Sequence, residues 1–284
     1  MKFQNYFSAQ TLSQLEIVVG SPTLLKNKKV FSSIFVTTSS PNLDDLRVVS
    51  MNNKYPNLYE EYFINSFLKS YCRGVITTGK TIRDGYKRAL YEEPEYCRLE
   101  DLQHFAYYGQ EVSPKLDRPK KPYFILSKAL NKEELLNIKF YQNEYAKLYL
   151  TQTEALKQDL ENNDQELLDF IKQRDITIVD EIKDINDAIN FFLIKKKLQS
   201  VFVECGSSAY SKFITEPEAE PPIDFLVVTV LHTNKKTFLD EPFPSLKQML
   251  EKYRLLTQTP TYKSKYGMVT HFTFRKKTVI RGQE

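Results

Sequence analysis

Residues 198–214 read LQSVFVECGSSAYSKFI. Val201, Phe202 and Val203 form a short apolar run between polar neighbours, the pattern of a strand buried on both faces. Glu204-Cys205-Gly206 then turns the chain, and Ser207 and Ser208 are placed to cap a helix carrying Ala209, Tyr210 and Phe213. Strand, glycine turn and helix together make a phosphate-receiving geometry. The N–H groups of a first helical turn lack intrahelical partners, and a small residue at the turn lets a pyrophosphate approach the backbone. The same pattern also suits a parallel sheet that turns through a glycine and binds nothing.

A second corner of this kind lies upstream. Gly74-Val75-Ile76-Thr77-Thr78 reads as a buried strand, and Gly79-Lys80-Thr81-Ile82-Arg83-Asp84-Gly85 as a polar turn leading into a short helix. Between the two corners, strand patterns alternate with helical ones. Pro122–Ser127, Lys147–Leu150 and Ile176–Val179 read as strands. Thr153–Gln173 reads as a helix broken near Asn162-Asn163. Asp184 caps a helix whose Ile185, Ala188, Ile189, Phe192 and Leu193 share one face. Lys195–Lys197 follow, where the helix macrodipole favours positive charge.

Outside that span, Val30–Thr38 is β-branched and aromatic and reads as a strand. Ser39–Tyr55 is a loop. Pro56 opens a helix to about Tyr71, with Tyr59, Phe63, Phe67 and Tyr71 as a core stripe. Thr215–Pro222 is an acidic loop, 223–231 a long apolar strand, 246–255 a helix and Met268–Phe274 the last strand. The alternation predicts an α/β fold with a mostly parallel sheet flanked by helices. The last two strands lack a βαβ unit of normal length between them, which predicts an antiparallel C-terminal edge. Residues 1–28 read as an N-terminal extension and 29–284 as a single domain, with a long excursion at about 86–120.

Composition narrows the function. With 41% hydrophobic and 27% charged residues, the chain has the balance of a globular protein, and its apolar runs are too short to span a bilayer. The 40 basic and 36 acidic residues are interspersed, which gives no nucleic-acid footprint. Cys72, Cys97 and Cys205 show no metal-ligand spacing and are odd in number, so no metal is expected. They fit a reducing intracellular compartment, the cytoplasm or the mitochondrial matrix.

Taken in order, CRGVITTGKTIRDGYK, LQSVFVECGSSAYSKFI and PPIDFLVVTV resemble the reductase domain of bacterial riboflavin-biosynthesis deaminase–reductases. The likeness extends from about Val30 to Lys276. That domain has the dihydrofolate-reductase-like fold, so the resemblance implies this fold and an NADPH-dependent reductase. The family's Gly-x-x-Thr turn, with Arg and Asp soon after, is matched by Gly79, Thr81, Arg83 and Asp84. Its Glu-Gly-Gly turn is matched by Glu204 and Gly206, and its Asp-Glu pair by Asp224 alone. The implied cofactor-binding residues are Thr78, Gly79, Lys80, Thr81, Arg83, Glu204, Cys205, Gly206 and Ser207. Cys205 stands for a family glycine, and Phe225 for the glutamate. The family's substrate-side Ser-Leu-Asp-Gly segment has no clean counterpart in Thr37–Asp45, which leaves Asp44 and Asp45 as candidate acids. His104, His232 and His271 read as structural or surface residues, and Cys205 as a packed, inert thiol. No zinc-deaminase signature is present.

Two readings stay open. One is a divergent NADPH-dependent reductase, active on a pyrimidine precursor in the family manner. The other is a catalytically silent member kept as a structural or accessory subunit of a larger assembly. Both accommodate protein partners or a homodimer.

Overall fold

A computed structural model describes residues 22–25, 27–48, 64–65, 68–69, 71–87, 120–142, 146–216, 220–233, 241–264 and 267–277. In chain order its elements begin with α1 (Pro22–Leu25), β1 (Val30–Thr38), β2 (Arg47–Val48), β3 (Gly74–Thr78), α2 (Gly79–Lys87) and β4 (Lys121–Leu126). Next come α3 (Lys132–Asn137), α4 (Lys139–Gln142), β5 (Ala146–Thr151), α5 (Glu154–Glu161), α6 (Gln165–Gln173) and β6 (Thr177–Val179). Then α7 (Ile185–Asn190) runs into a π-helix (Phe191–Lys195), followed by β7 (Val201–Val203) and α8 (Ser207–Thr215). The chain closes with β8 (Phe225–His232), β9 (Glu241–Pro242), α9 (Leu246–Lys252), β10 (Tyr253–Gln258), β11 (Tyr262–Lys263) and β12 (Met268–Lys276).

The chain divides into two compact units, one comprising 66–205 and the other 2–65 with 206–284. In the first, β7, β3, β4, β5 and β6 lie side by side in that order, all parallel. Buried Val75, Ile76, Phe124, Ile125, Leu148 and Leu150 explain why these strands read as continuous apolar runs. Phe124, Tyr149, Phe191 and Phe192 meet edge to face at 5.3–5.9 Å, which ties the helix before β7 to the sheet. The expected break at Asn162-Asn163 is present, with Asn163 in the left-handed region at φ 54°. Asp184 caps α7 by accepting from the Asp187 amide at 2.9 Å.

In the second unit the order is β10, β12, β8, β1. β1 and β8 are parallel, with Thr38 opposite His232, whereas β12 is antiparallel to both β8 and β10. The expected α/β class, parallel pairing and antiparallel C-terminal edge are all present. Every residue of β1 is buried. Tyr210 of α8 is fully buried, and its hydroxyl reaches Ser32 Oγ and donates to the Ser33 carbonyl at 3.2 Å, which fixes the helix on this strand.

Several expectations are corrected. α2 begins at Gly79, directly after β3, with no polar turn between them. The reason is local: Thr78 Oγ1 accepts from the Thr81 amide at 3.1 Å and caps the helix. The π-helix inserts a residue and rotates the register, so Phe191 is buried and Leu193 is only half-buried. Tyr71, expected in a core stripe, is 40% exposed. Residues 253–258 form strand β10 instead of extending the helix, because they pair with β12. The rest of the aromatic stripe (Tyr59, Phe63, Phe67), the segment 88–119 of the excursion, Cys97 and His104 lie outside the described residues. No helix among the described residues is long and apolar enough to cross a membrane.

His271, at the centre of β12, is buried. Its Nδ1 lies 2.9 Å from Thr229 Oγ1 and its Nε2 lies 2.7 Å from the Tyr262 hydroxyl. Burial lowers its pKa to about 4. The unfolded chain, at the ordinary value of 6.5, therefore takes up a proton that the folded chain refuses. Stability is full above pH 6.5 and declines as pH falls toward 4, by on the order of 3 kcal/mol. Urea unfolding at pH 7 and pH 4.5 is expected to show this loss, and His271→Gln to flatten it.

Candidate functional site

The unit boundary falls inside the corner that ends β7, between Cys205 and Gly206. On the first side, Glu204 is committed to the fold. Its Oε1 lies 2.8 Å from Lys69 Nζ, its Oε2 accepts from Thr77 Oγ1 at 3.3 Å, and its amide donates to the Ile76 carbonyl at 2.8 Å. Lys69 is buried and lies 5.9 Å from the centre of the Phe202 ring. Cys205 is half-buried, contrary to the packed thiol expected. By contrast Cys72 is fully buried, which pushes its thiol pKa well above the ordinary range.

The corner after β3 belongs to the same unit. Thr78 and Thr81 bond each other through their hydroxyls at 2.9 Å. Gly79 is required by packing: an added Cβ would lie 2.5 Å from Ser127 Oγ. Lys80 is exposed, and Arg83 Nη1 donates to Glu134 Oε2 at 3.2 Å. The expected residues are thus gathered at the carboxyl end of β3, where open parallel sheets receive ligands, while Thr78, Thr81 and Arg83 each have an internal partner.

The second side begins at Gly206, which is the N-cap of α8. It forms no side-chain cap bond, and its φ of −77° is open to any residue. An added Cβ would meet nothing within 4 Å. Neither packing nor backbone conformation demands a glycine here, and the space beside Gly206 is open. Ser207 was expected to cap the helix. It lies instead in the first turn, is buried, and donates from its hydroxyl to the exposed Glu241 carboxylate of β9. β9 pairs with β2, which pairs with the end of β1.

Asp44 is exposed. Burial would raise the pKa of Asp45, but hydrogen bonds from Thr38, Ser39 and the backbone outweigh it and hold the carboxyl below its ordinary value. Asp45 accepts from Thr38 Oγ1, from Ser39 Oγ at 2.7 Å and from the Ser40 amide at 3.2 Å. It pins a turn and is a poor proton donor near neutrality. Asp224 Oδ2 accepts the Lys29 and Val30 amides at 2.9 and 3.0 Å, at the amino end of β8. Phe225 beside it is fully buried against Phe31, an apolar contact. Among the described residues, no group of His, Cys, Asp and Glu gathers as a metal site.

Sequence reasoning missed Lys69, Glu134 and Glu241. Each is an ordinary charged residue, and no local pattern marks its partner, which lies 135, 51 and 34 positions away respectively.

The chain matches no family profile and no curated protein. Among solved structures it is similar to a pyrimidine reductase-like protein from Corynebacterium diphtheriae. The identity is 15% and the TM-score 0.51, over 93% of this chain and 98% of that one. The chain has the pyrimidine-reductase-like fold. Two further structures align less closely, both with a TM-score of 0.48. The Saccharomyces cerevisiae riboflavin biosynthesis reductase is 12% identical over 90% of this chain and 99% of its own. Acinetobacter baumannii RibD is 12% identical over 91% of this chain, which spans 61% of it. The reductase-like fold agrees with the resemblance that the strand-end motifs carry in the sequence.

Proposed function

We propose that the protein is a divergent NADPH-dependent reductase acting on a pyrimidine precursor that carries a ribose-derived chain. In this reading 29–284 works as one reductase domain in a reducing intracellular compartment, alone or as a homodimer. The observation that carries it is the start of α8. The glycine at 206 is needed by neither packing nor backbone, and it opens a helix that no side chain caps, with open space beside it. A pyrophosphate fits that description. Gly206 and Ser207 would hold it, and Lys80 and the amides of α2 are proposed as phosphate donors on their own corner. The bound nicotinamide would supply a hydride. The chain's residues would position the ligands and exclude water.

Titration of the purified chain with NADPH, followed by nucleotide fluorescence, tests the reading. Saturable binding is expected, whereas no binding at millimolar NADPH would favour the silent subunit. Glu241 is the part of the corner that fits an anion least, because its carboxylate sits on the Ser207 hydroxyl. Glu241→Gln is expected to tighten NADPH binding by about 5-fold, an electrostatic gain of about 1 kcal/mol at an exposed site. Unchanged or weaker binding would show that Glu241 supports the corner and does not guard it.

A further inference from the structure

The carboxyl ends of β1 and β8 carry a polar row centred on His232. Thr38 and His232 end these two strands and stand opposite each other in a parallel register, so their side chains leave the sheet on the same face. His232 Nε2 lies 3.1 Å from Thr270 Oγ1 on β12, and that hydroxyl lies 2.9 Å from Thr261 Oγ1. Thr270 is buried, so the ring is anchored from within. The backbone of His232 is held as well, by pairing with Thr38 on β1 and Met268 on β12. Among the described residues, His232 Nδ1 has no hydrogen-bond partner, and the side chain is half-buried. On the other side, Thr38 hands its hydroxyl hydrogen to Asp45, which already accepts from Ser39 and the Ser40 amide.

A ring fixed at one nitrogen and open at the other, at the end of a parallel strand pair, is the arrangement by which an imidazole handles a proton. We propose that His232 donates a proton to the bound substrate, with Thr270 as its positioning residue. The inference rests on the reductase reading. The carbon of a C=N or C=O bond accepts the hydride with its electron pair, and the π electrons move to the heteroatom. His232 in its imidazolium form gives its Nδ1 proton to that heteroatom and recovers one from water. Asp45 is excluded from this role by its three donors. The side chains next to His232 on the adjoining strands, Thr38 on β1, Met268 and Thr270 on β12, and Thr261 beyond Thr270, are all neutral, and burial alone moves the pKa of the ring. Burial lowers the pKa of His232, so the donating form is lost with rising pH earlier than for a free imidazole.

The experiment pairs two readouts on the full chain. The His232 ring resonances are followed by NMR while uridine 5′-monophosphate, a stable pyrimidine ribose-phosphate, is added. NADPH oxidation is measured with a ribosylaminopyrimidine phosphate as substrate. The nucleotide is expected to move the His232 resonances and leave those of buried His271 in place. His232→Gln is expected to lower kcat about 100-fold and abolish its dependence on pH below 7, with NADPH affinity unchanged. Thr270→Val is expected to shift the His232 titration and lower kcat about 10-fold with KM held. A wild type that turns over while His232→Gln stays within about twofold of it overturns the proposal. If the wild type binds no NADPH, the reductase reading falls, and the NMR titration then decides on His232 alone. Movement of its ring resonances retains it as a ligand-facing residue, and their immobility overturns the proposal.

Discussion

Gly206→Asp is expected to weaken NADPH binding at least about 100-fold, a loss of about 3 kcal/mol, while leaving the chain as stable as before or slightly more so. The two effects have opposite signs for one reason. Gly206 is the N-cap of α8, and no side chain caps that helix. Aspartate is among the strongest N-cap residues, and a new carboxylate here meets no neighbour within 4 Å of its Cβ. It is free to accept the first-turn amides and add a few tenths of a kcal/mol to the helix. In the proposed reading those amides would receive the pyrophosphate, so the same carboxylate would fill its place and repel it. Gly206→Ala adds bulk without charge and is expected to fall between the two. Nucleotide titration with a thermal melt on each variant checks both halves. Unchanged NADPH affinity in Gly206→Asp would remove this corner as a phosphate site. A large drop in Tm would instead mean that the glycine is structural.

Lys69→Met is expected to destabilise the fold by roughly 3 kcal/mol, because it strands a carboxylate that the fold has partly buried. The Lys69 and Glu204 side chains are 9% and 24% exposed, and their charged atoms are 2.8 Å apart. After the substitution, among the described residues only Thr77 Oγ1 still donates to the Glu204 side chain. Lys69 also supplies its carbonyl to Lys121 Nζ, a bond that survives the change. The double variant Lys69→Met with Glu204→Gln removes both charges and is expected to regain most of the loss, with a coupling of about 1–3 kcal/mol. Urea unfolding of the four-member cycle measures it. A cost below about 1 kcal/mol for Lys69→Met would mean that Glu204 is rehydrated easily and remains available to a ligand.

The residues of this short turn that match the reductase motif are held in different ways. Glu204 matches a motif position, yet its carboxylate is held by a lysine and a threonine of its own unit. Gly206 matches the next motif glycine, and there the structure leaves the flank open. Motif matching treats the two alike, because a motif records residue types in order and not which atoms are already bonded.

The sequence by itself determined the order and kind of most elements. Val30–Thr38, Gly74–Thr78, Val201–Val203 and the long strand after Asp224 are dense in β-branched and aromatic residues, and strand preference and burial then agree. Asp184 and the Asn162-Asn163 break were legible because capping and left-handed turns depend on neighbours a few positions away. The antiparallel C-terminal edge was legible because a parallel crossover needs a longer connection than the chain provides.

Only the tertiary structure decided the rest, because pairing across long separations leaves no periodic trace. Tyr253–Gln258 is a strand because β12 lies beside it, although its first residues continue a helical pattern. The π-helix exchanges Phe191 for Leu193 in the core to fit aromatic rings supplied by β4 and β5. His232 read as a strand-end residue. Its significance comes from Thr270, 38 positions on, which β12 brings to one ring nitrogen, and from the register that sets it beside Thr38. Local physics writes the elements into the chain, and the partners of its charged and polar groups are chosen when strands from distant segments align.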